Sequence, residues 1–330
     1  MTSDDFRIIR TVKVVLLGAS GLLGWSIYQE LKRRGYNTYP YFRQSKPDVS
    51  FAEFRALNLS EDSKVTRELL DLWPDAIINC AAISSPDTVN LDPFTAKMIN
   101  VDAAERLAEI SSHLGARFIH VSSDMVFEGR QQPYRSTDVP NPLSEYGLQK
   151  LESEKKVLSA IGENFVILRI TLINGNSPKA NRSPHERILQ SIRNKSTINL
   201  FDDEFRQPCS ADNVASVVVE LLERPNLNGL FHWAGSEVIT RYELGLRILE
   251  RFGFSSNFIT KSSLSDSFKK VGRRPAKLTF ELSPLAGKIK TKPESVAEQL
   301  EGLKVPNSLY KWYRESATDP SKYVLRHLKC

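Results

Sequence analysis

Cysteine is scarce in this chain: three in 330 residues, at Cys80, Cys209 and Cys330. An odd, widely separated set makes no disulfide framework and suits a reducing compartment. Histidine is nearly as rare, and His113, His120, His185, His232 and His327 show no ligand spacing, so no zinc site is expected. Blocks of basic charge are also missing. Lys and Arg number 45 against 39 Asp and Glu, and the formal charge of +6 is spread along the chain. That balance does not wrap nucleic acid, but it suits anionic small molecules. No stretch is long and charge-free enough to cross a bilayer, and Met1-Thr2-Ser3-Asp4-Asp5 has neither the basic nor the apolar part of a leader. The expectation is a soluble cytoplasmic protein whose partners are neither nucleic acid nor membrane. Internal repeats and low-complexity tracts are absent too. With 41% hydrophobic and 25% charged residues, the composition is that of a globular chain.

What is present is alternation. Val12 to Leu17 is a β-branched and aliphatic run, short enough for a strand buried on both faces. Leu23, Ile27 and Leu31 then recur every four residues, and Gly35 offers a helix C-cap. Thr38–Phe42, Ala76–Asn79, Arg117–Ser122 and Phe165–Ile170 read as further strands. Ser60–Leu72, Ala96–Leu114 and Tyr146–Leu158 read as helices, the second of them long and unbroken. Such alternation predicts an α/β fold, a doubly wound parallel sheet of Rossmann type with helices on both sides. The polar stretch Gly129–Leu143, with Pro133, Pro140 and Pro142, reads as a loop over the sheet. After Thr171 the alternation fails. Residues 1–172 are therefore expected to form a dinucleotide-binding domain, to which 206–235 returns through a helix at Asp212–Leu222. Residues 173–205 and 236–330 are expected to form a smaller mixed α/β substrate-binding part.

Gly18-Ala19-Ser20-Gly21-Leu22-Leu23-Gly24 joins the first strand to the first helix. A first glycine allows the tight turn, a second lets a pyrophosphate approach the amides at the helix N-terminus, and a third allows close helix packing. Gly18, Ser20, Gly21, Leu22, Leu23 and Gly24 are thus candidate dinucleotide contacts, because the turn follows a buried-type strand and opens an amphipathic helix. About twenty residues on, where an NAD site carries a carboxylate, the sequence reads Phe42-Arg43-Gln44-Ser45-Lys46. A guanidinium at Arg43 can pair with the extra phosphate of NADP, so NADP(H) is the expected cofactor. The competing reading of Arg43 is a solvated loop cation. Asn58 and Leu59, after the third strand, are placed to reach the adenine end.

Tyr146 and Lys150 lie four residues apart at the start of a helix, on one face. A nearby cation stabilises phenolate and lowers a tyrosine's pKa, and Lys150 can also hold the nicotinamide ribose. His120-Val121-Ser122-Ser123-Asp124 puts hydroxyls at the C-terminal end of a strand, where open α/β sheets hold their ligands. Ser123 would bind a substrate carbonyl oxygen and turn it toward Tyr146, while Ser122 would face the cofactor.

The glycine spacing, Asn79-Cys80-Ala81-Ala82, Asn100-Val101-Asp102-Ala103, Ser122-Ser123-Asp124-Met125-Val126-Phe127, Asn141-Pro142-Leu143 and the Tyr146/Lys150 pair resemble an extended short-chain dehydrogenase/reductase. Within that group the chain is most similar to the dTDP-4-dehydrorhamnose reductases of dTDP-rhamnose biosynthesis, from Val12 to about Leu282 and including Arg273-Arg274-Pro275. The resemblance implies NADPH-dependent reduction of a keto group on a nucleotide-linked sugar by a Ser123/Tyr146/Lys150 triad. It also implies that Asn100 helps position the active-site helix and that Ala81 and Ala82 line the nicotinamide side. Met125 stands where the reductases have tyrosine, and Leu172 where they have an indole, so the sugar does not follow. Met125 is counted with Arg206 and Arg274 on the substrate side, the two arginines as diphosphate ligands or as ordinary surface pairs. Two other readings share the resemblance. One is a nucleotide-sugar epimerase or dehydratase that retains NAD. The other is a non-catalytic NADP-binding regulatory subunit like that of methionine adenosyltransferase.

Other features read as structural. His232 beside Trp233 suits a buried packing role, and Cys80 a small hydrophobe. Asp202-Asp203-Glu204 suits a solvated acidic loop, since adjacent side chains cannot all face one ion. The aromatic tail with Tyr310, Trp312, Tyr313 and Tyr323 suits a docked terminal helix or an oligomer contact such as a homodimer, rather than base stacking.

Overall fold

The computed structural model describes residues 12–43, 53–265 and 274–324. Met1–Asp5, Gln44, Ser45, Lys46, Arg273, His327 and Cys330 lie outside the described residues.

Strands β1 (Lys13–Leu17), β2 (Asn37–Phe42), β3 (Arg55–Ala56), β4 (Ala76–Asn79), β5 (Arg117–Ser123) and β6 (Phe165–Ile170) form one parallel sheet. Four strands with chain positions in the second half follow: β7 (Ile173–Asn174), β8 (Ile198–Phe201), β9 (Phe205–Arg206) and β10 (Cys209–Ser210). Next, β11 (Gly229–Trp233) returns to pair with β6, giving the order β11-β6-β5-β4-β1-β2-β3. The reversal of strand order beside β1 and β4 is where such sheets open a crevice at their C-terminal ends. In register, Leu17 stands beside Asn79, and Asn79 beside His120. Gly18 and Cys80 therefore leave the sheet side by side next to Val121, while β5 runs on to Ser123 paired with β6.

Period-two alternation sends neighbouring strand residues to opposite helical layers. Val14, Leu16, Ile78 and Ile119 meet α1 (Leu22–Arg33) on one face, together with Val214, Val217 and Val218 of the helix at Ala211–Leu222. Val15, Leu17, Ile77 and Phe118 meet α2 (Asp62–Leu72) on the other, along with Leu107 and Val157 from helices at Ala103–Leu114 and Glu145–Ala160. Because both faces are covered, the strands read as unbroken apolar runs. Gly35 just past α1 takes φ +80, the left-handed geometry a glycine cap supplies.

The structure departs from the long helix expected at Ala96–Leu114. After a short α3 (Pro86–Leu91), the segment begins in α4 (Pro93–Lys97), passes through a π-helical turn at Met98–Asp102 and continues as α5 (Ala103–Leu114). Asn100 sits in the π turn with its side chain turned to Ile83 and to Gln149 outside the helix. Apolar periodicity cannot register such a turn, and π turns often mark functional sites.

Helix α6 (Glu145–Ala160) follows the loop at 129–143, and α7 (Pro184–Arg193), α8 (Ala211–Leu222) and α9 (Arg241–Arg251) complete the longer helices among the described residues. α8 packs along α1. A separate core joins Ile188, Leu189 and Ile192 of α7 to Leu244, Ile248 and Leu249 of α9, and to Val296, Leu300 and Tyr313. Trp312 stacks on Phe254, and Tyr323 meets Phe252, so the aromatic tail is docked on this core. β9 sits between β12 (Ile239–Thr240) and β14 (Lys277–Leu278), while β13 (Ile259–Ser262) pairs with β8. The acidic trio is spread out. Asp203 accepts from the amide of Leu264 at 2.9 Å, and Glu204 pairs with Arg206 at 2.8 Å. No helix among the described residues is long and apolar enough to cross a membrane.

Candidate active site

Gly18 has φ +81, and a Cβ there would lie 2.7 Å from the amide nitrogen of Ala81. A Cβ on Gly24 would lie 2.1 Å from the carbonyl oxygen of Gly18. These two glycines fix how closely α1 and the loop after β4 approach the turn. Gly21 is different: its φ is −78, and it serves as the α1 N-cap without any side chain to answer the first-turn amides. The N–H groups of Leu22 and Leu23, in the first turn of α1, therefore have neither an intrahelical nor a capping side-chain partner, an arrangement that fits a pyrophosphate. Arg43 is exposed one residue beyond β2, whose end is tied to the turn by the Ala19 amide donating to Tyr41 at 3.0 Å. Arg43 has no ion pair among the described residues. Asn58 is half-buried and accepts from the Ser60 amide at 3.4 Å, while Leu59 is in the core below.

Across the crevice, α6 starts with Ser144 accepting from the Gly147 amide at 3.1 Å. Gly147 has no alternative, because a Cβ would fall 2.2 Å from the carbonyl oxygen of Met125. That contact sets Tyr146 against the end of β5. Burial pushes the Tyr146 phenol up to about 12; the neighbouring Ser123 hydroxyl opposes the rise, and Asp124 adds to it. The expectation that Lys150 lowers this pKa is corrected by the geometry. Lys150 Nζ is turned to the Val121 carbonyl at 2.8 Å and stands 3.3 Å from His120 Nε2, and burial brings Lys150 itself down to about 8. Ser123 donates to Asp124 Oδ1 at 3.2 Å and accepts from the Met125 amide, also at 3.2 Å. Met125 packs on Tyr146 with Val89 and Ala96.

Ser122 faces the other way. Its hydroxyl donates to Glu154 at 2.5 Å, and Glu154 forms a buried ion pair with Arg169 at 2.6 Å. Its side chain is thus committed inside the protein rather than to the crevice. Asn100 donates to Gln149 Oε1 of α6 at 3.0 Å and binds both the amide and the carbonyl of Ile83. It ties the loop carrying Ala81 and Ala82 to the helix carrying Tyr146. His232 is buried and stacked on Phe280, and it bonds to the Tyr134 carbonyl.

On the substrate side, Arg206 is buried and paired with Glu204 rather than lying on a surface. Burial raises Asp124 to about 6, opposed by Arg206, and Asp124 Oδ2 has no hydrogen-bond partner. Arg241 is pulled below the usual guanidinium range by burial; Glu204 opposes the shift, and Arg206, Arg274 and Arg187 add to it. Arg274 lies over the Phe201 ring at 6.0 Å. Four arginines thus gather near two carboxylates, which suits an anionic ligand. Arg187 and Arg241 are absent from the sequence reading. Arg241 had a signal: it is a cation in the first turn of a helix, where the dipole disfavours it.

The family profile described as RmlD substrate binding domain matches residues 12–304. The chain is 34% identical over 280 residues to methionine adenosyltransferase 2 subunit beta of Bos taurus, covering 83% of this chain and 81% of that protein. It is 28% identical over 298 residues to the probable low-salt glycan biosynthesis reductase Agl14 of Haloferax volcanii, covering 89% and 97%. The crystal structure of dTDP-4-dehydrorhamnose reductase from Bacillus anthracis in complex with NADP superposes with a TM-score of 0.77 at 23% identity, over 88% of this chain and 98% of that one.

Proposed function

Since the chain belongs to the RmlD substrate binding domain family, an extended short-chain dehydrogenase/reductase type, we propose that it binds NADP(H) over the Gly18 turn and reduces a keto group on a nucleotide-linked sugar. The observation that carries this reading is the register of β1, β4 and β5, which brings the glycine turn, the Cys80–Ala81 loop and Ser123 to one edge facing Tyr146. NADPH, when bound, supplies hydride to the carbonyl carbon. The chain's own groups handle the oxygen. Ser123 holds it, and Tyr146 delivers the proton it needs as it becomes an alcohol. A phenol raised to about 12 is fully protonated at neutral pH, which suits donation in the direction of reduction. Lys150 anchors the ribose. Leu22 and Leu23 offer amides to the pyrophosphate, and Arg43 meets the extra phosphate. Arg206 and Arg274 attract the nucleotide-sugar diphosphate, with Met125 in the position nearest the sugar.

The test is a thermal-shift titration with NADPH and NADH, followed by NADPH oxidation with a panel of keto-sugar nucleotides. A larger shift with NADPH and turnover of at least one such substrate support the reading. The identity with methionine adenosyltransferase 2 subunit beta favours one second reading, in which the same nucleotide site serves a regulatory subunit. A stable complex with a methionine adenosyltransferase catalytic subunit, together with no NADPH oxidation across the panel, would select it.

A further inference from the structure

Between Tyr146 and Lys150, on the buried face of α6, stands Gln149, 2% exposed, and its hydrogen bonds can be assigned proton by proton. The Ile83 amide only donates and the Ile83 carbonyl only accepts. Asn100 must therefore present Oδ1 to the first at 2.8 Å and Nδ2 to the second at 3.2 Å. The other Nδ2 proton goes to Gln149 at 3.0 Å, so the atom that receives it is Oε1. Gln149 Nε2 then has two protons for two acceptors, the Pro93 carbonyl at 3.0 Å and Glu145 Oε1 at 3.2 Å. No amide proton of the pair is left over. The position asks one side chain for an acceptor at one atom and two protons at the other, and glutamine meets that demand. A glutamate would face the same two acceptors without protons, and an asparagine is a methylene short.

We propose that Gln149 is a positioning residue: it locks α6 to the π turn and to the start of α4, so that the loop lining the nicotinamide and the tyrosine opposite it keep a fixed separation. That loop is anchored at both ends, since the Ala81 amide donates to Asn79 Oδ1 at 3.1 Å and Asn100 holds both backbone groups of Ile83. Tyr146 precedes Gln149 by about one helical turn. Without Gln149, Asn100 would still hold the loop but no longer the helix. The apolar packing of Ile83 and Met125 around Tyr146 would remain, and such packing has no direction of its own. The inference rests on the NADP(H) reading above. None of Gln149's partners belongs to the glycine turn between β1 and α1, so placement of the ring and affinity for the nucleotide separate. Chemistry between the two is sensitive to that placement, because a shift of about 1 Å can cost roughly 100-fold in rate.

The experiment compares the full chain with Gln149→Met, which keeps the bulk and removes every polar bond. Three quantities are read: NADPH affinity, the fluorescence emission of bound NADPH at saturation, and NADPH oxidation with the panel of keto-sugar nucleotides. The wild type should raise NADPH emission above that of the free nucleotide, because the ring is sheltered between loop and helix. Gln149→Met should lose most of that gain and at least ~10-fold in turnover, with NADPH affinity little changed. Gln149→Glu should fail in the same way, since its second oxygen meets the Pro93 carbonyl and Glu145. Adding Glu145→Gln returns a proton donor to that oxygen and should recover the emission and part of the turnover. A side chain that merely stabilised α6 would give neither the split nor the recovery. Should Gln149→Met not fold, the single and double Gln149→Glu variants carry the comparison. Emission and turnover unchanged in Gln149→Met, affinity falling as far as turnover, or a double variant no better than Gln149→Glu overturns this inference and leaves the functional reading intact. A wild type that binds NADPH but oxidises it with no substrate overturns the functional reading, and the emission then decides this inference. Failure of the wild type to bind NADPH overturns both.

Discussion

At Tyr146 and Asp124 the same burial acts on two acids with different consequences. Tyr146 is kept as a phenol, and Tyr146→Phe should lower turnover at least ~100-fold with NADPH affinity little changed, measured by steady-state kinetics and direct binding. Near-normal turnover would remove Tyr146 from the chemistry. Asp124 is raised from 3.8 to about 6. A folded-state pKa above the unfolded one contributes stability below about pH 4 that is lost as pH rises through about 6. Asp124→Asn should therefore melt higher than the wild type at pH 7.5, by up to about 3 kcal/mol, with the difference vanishing near pH 4. The placement of Tyr146, Lys150 and Ser123 was readable because their spacing put them on one helix and one strand end. The direction of Lys150 was not, since its partner is the Val121 carbonyl on another element.

For the elements, the sequence carried most where a single strand or helix decides the outcome. Buried strands appear as aliphatic runs, and the α1 turn declares itself through three glycines. The π turn and the buried Glu154–Arg169 pair escaped because each depends on partners from other elements. Two of the glycines make sharp tests. In Gly24→Ala the new methyl would meet the Gly18 carbonyl oxygen at 2.1 Å. The turn must open, and the NADPH-induced rise in melting temperature should be lost even where the variant folds. Gly147→Ala pushes α6 off the Met125 carbonyl, 2.2 Å from the added carbon. It should reduce turnover more than NADPH affinity, because Tyr146 moves while the glycine turn stays in place; equal losses in both would contradict that division.

Across the whole molecule, Arg206, Arg274 and Arg187 gather around Arg241 beside Glu204, and the overall charge of +6 is consistent with an anionic ligand there. Charge counts alone could not reveal that Arg206, Arg241 and Arg274 converge, since they belong to separate elements. Global stability also has a pH signature. His185, wholly buried between Ser183 and the Lys304 carbonyl, is lowered from 6.5 to about 4. Its depressed pKa gives stability that is complete above about pH 6.5 and lost as pH falls toward 4, so His185→Asn should flatten acid denaturation over that window in pH-dependent melting. The most direct measurement of the central claim is a crystal structure of the chain with NADP. The account predicts the pyrophosphate on the Leu22 and Leu23 amides and the nicotinamide beside Tyr146, with Lys150 withdrawn from His120 onto the ribose. A nucleotide bound elsewhere, or a ring remote from Tyr146, would contradict it.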